Sequence, residues 1–331
     1  VTARLSRDMG MDISVERVRL AFPLDLSLEH FKAVEGTDTL AAAGALRLEV
    51  KVLPLLRGCV SIAGFELWRM QMDTKSYLSD IRLSGKVGMV ELSVPAVADL
   101  KNKLVDVNKI VLSKSDVQVI LSDTAKKDTS KSEPVKWRIK LNSAGISHTR
   151  FYVQMPGDSM RIGGMLTEAV VRKGDFDIGN NTYKARLVNI KDSELSYDVP
   201  QASKGKGLDF NHISVTGLQL RLDTLNYRNS RLTVGIPRLA FKEQSGLHVE
   251  NLQAHLALDT TCLHLPLFRL RTPHTHLDAT AGLAWKALKP AKGGKMGIDV
   301  KGHVGRSDIL LLSGNAAPQL SPYIPGGDLK I

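Results

Sequence analysis

The sequence predicts a mainly β fold, a long series of antiparallel strands joined by short turns, and three observations carry that expectation. Hydrophobic alternation with period two recurs along nearly the whole chain. Turn residues punctuate these runs at short intervals, while helical spacing of apolar residues is scarce. One strand phrase also occurs three times with its apolar positions in the same places.

Taken in chain order, "TARLSRDMG" sets Leu5 and Met9 four apart with Gly10 as a C-cap, which predicts a short N-terminal helix over residues 1–10. Residues 11–121 read as a first β segment, with alternation in "LRLEVKVL" from Leu46 and "VGMVELSV" from Val87. One helical turn is expected at "VLPLLRG" (Val52–Gly58). "SDTAKKDTSKSEP" (122–134) has no apolar residue larger than Ala125 and reads as a mobile inter-strand loop. Residues 135–331 continue the β repeats, through "LQLRLD" from Leu218, "HLALD" from His255, "CLHLPLFRLR" from Cys262 and "GIDVKGHV" from Gly297. "KPAKGGK" (Lys289–Lys295) is a solvated turn, and "SDILLLSG" (Ser307–Gly314) a helical turn with Ser307 as its N-cap.

The repeated phrase aligns without gaps from Ile110, Ala144 and Val188. Apolar residues occupy positions one, three, eight, ten and twelve: Ile110, Leu112, Val117, Val119, Leu121; Ala144, Ile146, Phe151, Val153, Met155; Val188, Ile190, Leu195, Tyr197, Val199. The gap carries Ser115, Thr149 or Ser193. A shorter-gap relative runs from Ile62 through Phe65, Leu67, Met70 and Met72, and again from Phe210 through Ile213, Val215, Leu218, Leu220 and Leu222. If these are rungs of one structure, Val117, Val119 and Leu121 share a face with Phe151, Val153 and Met155 and with Leu195, Tyr197 and Val199. Alternation alone leaves two outcomes open, a sandwich with a closed core or a long sheet curled around an apolar groove.

Composition fits a folded chain: 331 residues, 43% apolar and 24% charged. The net charge of +11 favours anionic partners in general. It is spread along the chain, with neither an arginine-rich arm nor an RNA-reading aromatic motif, so nucleic acid is not an expected partner. Two cysteines, Cys59 and Cys262, form neither a disulfide framework nor a four-ligand zinc pattern, and their pairing stays open. The longest uncharged stretch, Ile309–Gly327, holds Pro318, Pro322 and Pro325 and does not make a spanning helix. The chain opens at Val1 and closes in a strand-like "GGDLKI", so it reads as a piece of a longer protein with a signal or anchor upstream.

Catalytic chemistry finds no foothold. There is no nucleophile elbow, P-loop or dinucleotide fingerprint. The Gly pair of "RIGGML" reads as a bulge. Cys262 and His264 share a strand face, as do His274, His276 and Asp278, and would offer a metal ligands only if those faces met. Asp175 and Asp177 read as a charged outer face beside a turn. The chain is therefore expected to be no enzyme, with no cofactor and no small-molecule substrate.

The opening third resembles a known family. "VERVRLAFPLDLSLEHFKAV" leads to "DTLAAAGALRLEVKVLPLLRGCVSIAGFELWRMQM", with "FPLDLSL", "DTL", "LPLLRG" (Leu53–Gly58) and "I-x-x-F-x-L" (Ile62–Leu67) in that order. This is similar to the N-terminal periplasmic part of the AsmA-like superfamily, TamB-type proteins in the form seen in Bacteroidetes. Beyond Pro134 the resemblance rests on repeat style, as in "QMPGDSMRIGG" and "DIGNNTYKARLVNIKDSELSYD". It implies an elongated, curled antiparallel sheet, a β-taco whose groove is lined by apolar side chains, and an inner-membrane anchor upstream. It implies a periplasmic protein that carries phospholipid acyl chains between the inner and outer membranes and supports outer-membrane integrity. A scaffold or chaperone for outer-membrane protein assembly or secretion, working by strand pairing, is the alternative. A barrel partner of the TamA type in the outer membrane would be reached through a C-terminal region beyond this sequence. The candidate groove lining is Ile110, Leu112, Val117, Val119, Leu121, Ile146, Phe151, Val153, Met155, Ile190, Leu195, Tyr197, Val199, Ile213, Val215, Leu218, Leu220 and Leu222.

Overall fold

A computed structural model describes residues 12–21, 25–51, 53, 62–75, 81–93, 104–121, 138–155, 160–201, 207–288, 293–315, 324 and 326–331. The expected N-terminal helix, the 122–134 loop and, apart from Leu53, the turn at Val52–Gly58 lie outside these residues. The protein is mainly β and folds as two compact units, Val1–Glu168 and Ala169–Ile331.

In the first unit, β1 (Asp12–Ala21), β2 (Asp25–Glu35), β3 (Asp38–Val50), β4 (Ile62–Asp73) and β5 (Ile81–Ser93) form a meander, each strand antiparallel to the next. β6 (Leu104–Ser113) and β7 (Asp116–Leu121) are two halves of one line, both antiparallel to β5. Both run parallel to β8 (Arg138–Gln154). This corrects the expectation of a wholly antiparallel sheet. Parallel neighbours need a crossover of about a dozen residues or more, and residues 122–137 supply that length.

β9 (Arg161–Asp177) carries the chain from one unit into the next. In the second unit the end of β9 pairs with β10 (Thr182–Ala185). Asp177, read from the sequence as part of a charged outer face beside a turn, caps the turn between them: the Asn180 N–H donates to its Oδ1 at 3.0 Å and the Asn180 amide to its Oδ2 at 2.9 Å. There follow β11 (Leu187–Asp198), β12 (His212–Leu222), β13 (Thr224–Arg228), β14 (Arg231–Glu243), β15 (His248–Leu258), β16 (Cys262–Arg271), β17 (His276–Ala284) and β18 (Met296–Val304). A 3-10 turn, Trp285–Leu288, precedes β18, and helix α1 (Arg306–Ser313) and the short β19 (Leu329–Lys330) follow it. Pairing is antiparallel throughout these strands. The β13–β14 hairpin closes on Asn229 and Ser230, both left-handed at φ 50° and 60°, as a tight two-residue hairpin loop requires. Helix α1 is where the sequence placed it, but its N-cap is Gly305 rather than Ser307, with no side-chain cap. The buried Asp308 in its first turn complements the positive end of the helix instead.

Candidate functional site: a ladder-lined apolar face

The repeated strand phrase turns on one backbone device. Lys114, His148 and Asp192, the residues just before Ser115, Thr149 and Ser193, are left-handed at φ 49°, 46° and 46°. A left-handed residue resets strand alternation by one, so apolar residues on both sides of it keep to one face. The following hydroxyl braces the bend. Ser115 Oγ donates to the Ser113 carbonyl at 2.9 Å, Thr149 Oγ1 to Ser147 at 3.0 Å and Ser193 Oγ to Lys191 at 2.8 Å. These three side chains are buried, at 5%, 2% and 0% exposure. Burial without a partner would cost each hydroxyl about 1–3 kcal/mol, so the repeated brace answers the repeated burial.

The same device recurs at His30 (φ 52°) and Arg69 (φ 54°). The register sets His30 across from Gly44, Gly44 across from Arg69, and Arg69 across from Gly88, because the flanking pairs are Phe31–Ala43, Ala43–Met70 and Met70–Val87. Glycine at 88 is a packing requirement, because a Cβ there would sit 2.5 Å from the Lys114 carbonyl oxygen. A Cβ at Gly44 would meet only the movable guanidinium of Arg69, 2.8 Å away at Nε.

With the bends in register, apolar residues line up across strands. Val18, Leu28, Leu46, Leu67, Val90, Leu112 and Ile146 are successive cross-strand partners. Leu20, Leu26, Leu48, Phe65, Leu92, Ile110 and Ala144 form a second row. Beyond the bend, Ile13, Ala33, Ala41, Met72, Gly85, Val117 and Phe151 form another. Strands lie about 4.8 Å apart, so six steps carry each row roughly 30 Å.

The candidate residues of the first unit meet as the repeat requires: Ile110 lies opposite Ala144, Leu112 opposite Ile146, Val117 opposite Phe151 and Val119 opposite Val153. Leu121 and Met155 follow at the ends of these lines, both half-buried. In the second unit Ile190 lies opposite Leu220, Leu195 opposite Val215, and Tyr197 opposite Ile213, while Leu218 faces Ser193 and Leu222 faces Val188. Val199, past the end of β11, donates its N–H to the Asn211 carbonyl at 2.9 Å. Phe210 is off the row, in the turn before β12 and 56% exposed. The ladder residues of β2, β3 and β5 were missed by the sequence reading. Their signal was an apolar doublet resuming after three residues, as at Leu28 and Phe31 or Val87 and Val90. Ser115 and Thr149 fill the ladder position that Phe31, Ala43, Met70 and Val87 hold on the other strands.

Every element described in the first unit is a strand of this sheet, and most ladder side chains are only half-buried. Val18 and Leu20 on β1 are 60% and 68% exposed. The buried apolar residues described there are Ala33, Leu40, Ala43, Val87 and Val107. In the second unit a row runs Ile190, Leu220, Leu239, Leu252, Leu270, Leu277, and it is partly covered. Leu208, Leu247 and Val249 are buried against Phe241, Leu252 and Leu270. The Leu208 N–H donates to the Leu311 carbonyl of α1 at 2.7 Å, and the Asn315 amide to the Gly207 carbonyl at 3.0 Å. Asp308 fixes the helix by accepting from Thr272 Oγ1 and, at 2.6 Å, from Thr275 Oγ1.

The metal alternative does not assemble. Cys262 and His264 lie opposite Ala284 and Gly282, whereas His276 and Asp278 lie opposite Arg271 and Arg269 at the other end of the hairpin. Among the described residues no group of three His, Cys, Asp or Glu side chains is placed to hold a metal ion, and Cys262 is a free thiol. No helix among them is long and apolar enough to cross a membrane. No family model and no curated protein matches the chain.

Proposed function

We propose that the protein is a non-enzymatic periplasmic conduit whose apolar sheet face carries phospholipid acyl chains between the inner and outer membranes. The observation that carries this reading is the pair of continuous aliphatic rows on seven strands of the first unit, left half-buried. A monomeric sheet with a sandwich core would cover them. An acyl chain fills about half of a ~30 Å hydrocarbon core, so a row of roughly 30 Å accommodates two chain lengths. Each CH₂ shielded from water is worth about 0.8 kcal/mol. Sliding along a uniform ladder exchanges one aliphatic contact for an equivalent one, so tight shielding and easy movement are compatible. The TamB-type resemblance of the opening third supports the same reading and its outer-membrane setting.

Phe151→Asp tests it. Lipid recovered with the purified protein should fall severalfold while the far-UV circular dichroism and Tm stay near wild type. Global unfolding of this variant would point to a sealed core. Unchanged lipid with an intact fold would remove the conduit reading and favour the strand-pairing scaffold.

A further inference from the structure

The other side of the first unit's sheet carries a different pattern. Each left-handed residue places two successive side chains on the side away from the ladders, which brings Arg69 and Lys114 out beside the ordinary outward row that holds Lys86 and Arg150. The register links them: Lys86 lies opposite Gln71 and Asp116, and Asp116 opposite Arg150. All four cations are exposed. Two carboxylates share these two rows: Glu16 pairs with His30 at 3.1 Å, and Asp116 lies 3.7 Å from Arg150. No carboxylate among the described residues pairs with Arg69, Lys86 or Lys114. On the adjoining row Trp68 and Met89 lie directly opposite each other, both half-buried.

We propose that this outward patch docks the first unit onto an anionic phospholipid surface. The cations face the headgroup phosphates and Trp68, with Met89, sits at the interface. Charge complementarity supplies the attraction, since a Lys or Arg near an anionic leaflet is worth about fivefold in affinity. The aromatic supplies the depth, because Trp prefers the zone between headgroups and acyl chains. Nucleic acid fits the patch less well: one Trp beside a Met offers no series of base-stacking platforms. The site is separate from the ladder face, so it stands whether or not that face carries lipid.

Co-sedimentation of the full chain with phosphatidylcholine vesicles, with and without phosphatidylglycerol, reads the proposal out. Wild type should bind the anionic vesicles selectively and lose that binding as salt rises. Arg69→Asn, Lys86→Gln and Lys114→Asn combined should weaken it about a hundredfold. Asn suits the left-handed positions, so the fold should persist. With Trp137 and Trp285 replaced by Phe, Trp68 emission should shift to the blue on anionic vesicles only. Arg228→Gln, which removes an exposed cation of the second unit, should leave vesicle binding unchanged. Equal binding to both vesicle types, full binding by the triple variant, or unshifted Trp68 emission would each overturn the proposal. The salt series on the unaltered protein decides the matter even if the triple variant is unstable.

Discussion

In the first unit the left-handed residues stand in register from His30 to His148, whereas in the second the irregularities are staggered. There they fall at Lys173, Asp192 and Gly217, and at register shifts beside Pro237 and Pro266. Proline has no N–H for the ladder, so each marks a strand position where pairing is already broken. The first unit thus keeps straight apolar rows half-buried across seven strands, while the second carries its row from Ile190 to Leu277 past staggered register shifts and covers part of it with Leu208. Aligned bends go with rows left half-buried, and staggered ones with a row that is partly covered.

The largest effect should come from breaking the aligned bend. Gly88→Val places a side chain against the Lys114 and Ser113 carbonyls and should cost about 3 kcal/mol by chemical denaturation. Gly282→Val in the second unit meets nothing within 4 Å and should stay within about 0.5 kcal/mol of wild type.

The cover of the second unit is next. Asp308→Ala leaves two buried threonine hydroxyls without their acceptor and should cost about 2 kcal/mol. It should also raise binding of a hydrophobic dye as the Leu208 cluster loosens, which no substitution of the same size in the open unit should do. The braces come third. Ser193→Ala and Ser115→Ala should each cost about 1 kcal/mol, and equal values would show that the device is the same in both units.

The smallest effect is a pH dependence in the second unit. His212 Nδ1 lies 2.6 Å from Asp198 Oδ1 and its Nε2 2.8 Å from the Gln201 carbonyl. With an acceptor at each nitrogen the charged ring is favoured, and the Asp198 carboxylate, first among the causes, raises the His212 pKa above its ordinary 6.5. A raised folded-state value means the stabilisation is complete below pH 6.5 and fades as pH rises through the folded pKa. Tm should therefore decline slightly from pH 6 to 8, and Asp198→Asn should flatten that slope. Asp259 works in the opposite sense. Hydrogen bonds from the Thr261 hydroxyl and N–H and the Cys262 N–H hold it down at about 2, so its contribution is present above 3.8 and is lost as pH falls toward 2.

Much of this was legible in the sequence, for a physical reason. Period-two alternation exposes strand faces directly, and the aligned Ser115, Thr149 and Ser193 mark where the bends fall. The left-handed backbone was not legible, because Lys114 and His148 are residue types that seldom adopt it; glycine would have announced it. The parallel pairing of β6 and β7 with β8 was hidden too, since side-chain alternation is the same for either strand direction. Gly305 displaced Ser307 as the helix cap because Asp308, three residues after Gly305, reaches Thr272 and Thr275 and fixes where the helix begins.

The central claim is that the straight rows of the first unit take up acyl chains. Photo-crosslinking residues at Val117, Val119, Phe151 and Leu195, with Val249 as the covered control, test it most directly. Phospholipid adducts are expected at Val117, Val119 and Phe151, fewer at Leu195 and none at Val249. Protein-only adducts, or equal lipid labelling at Val249 and Val119, would contradict it.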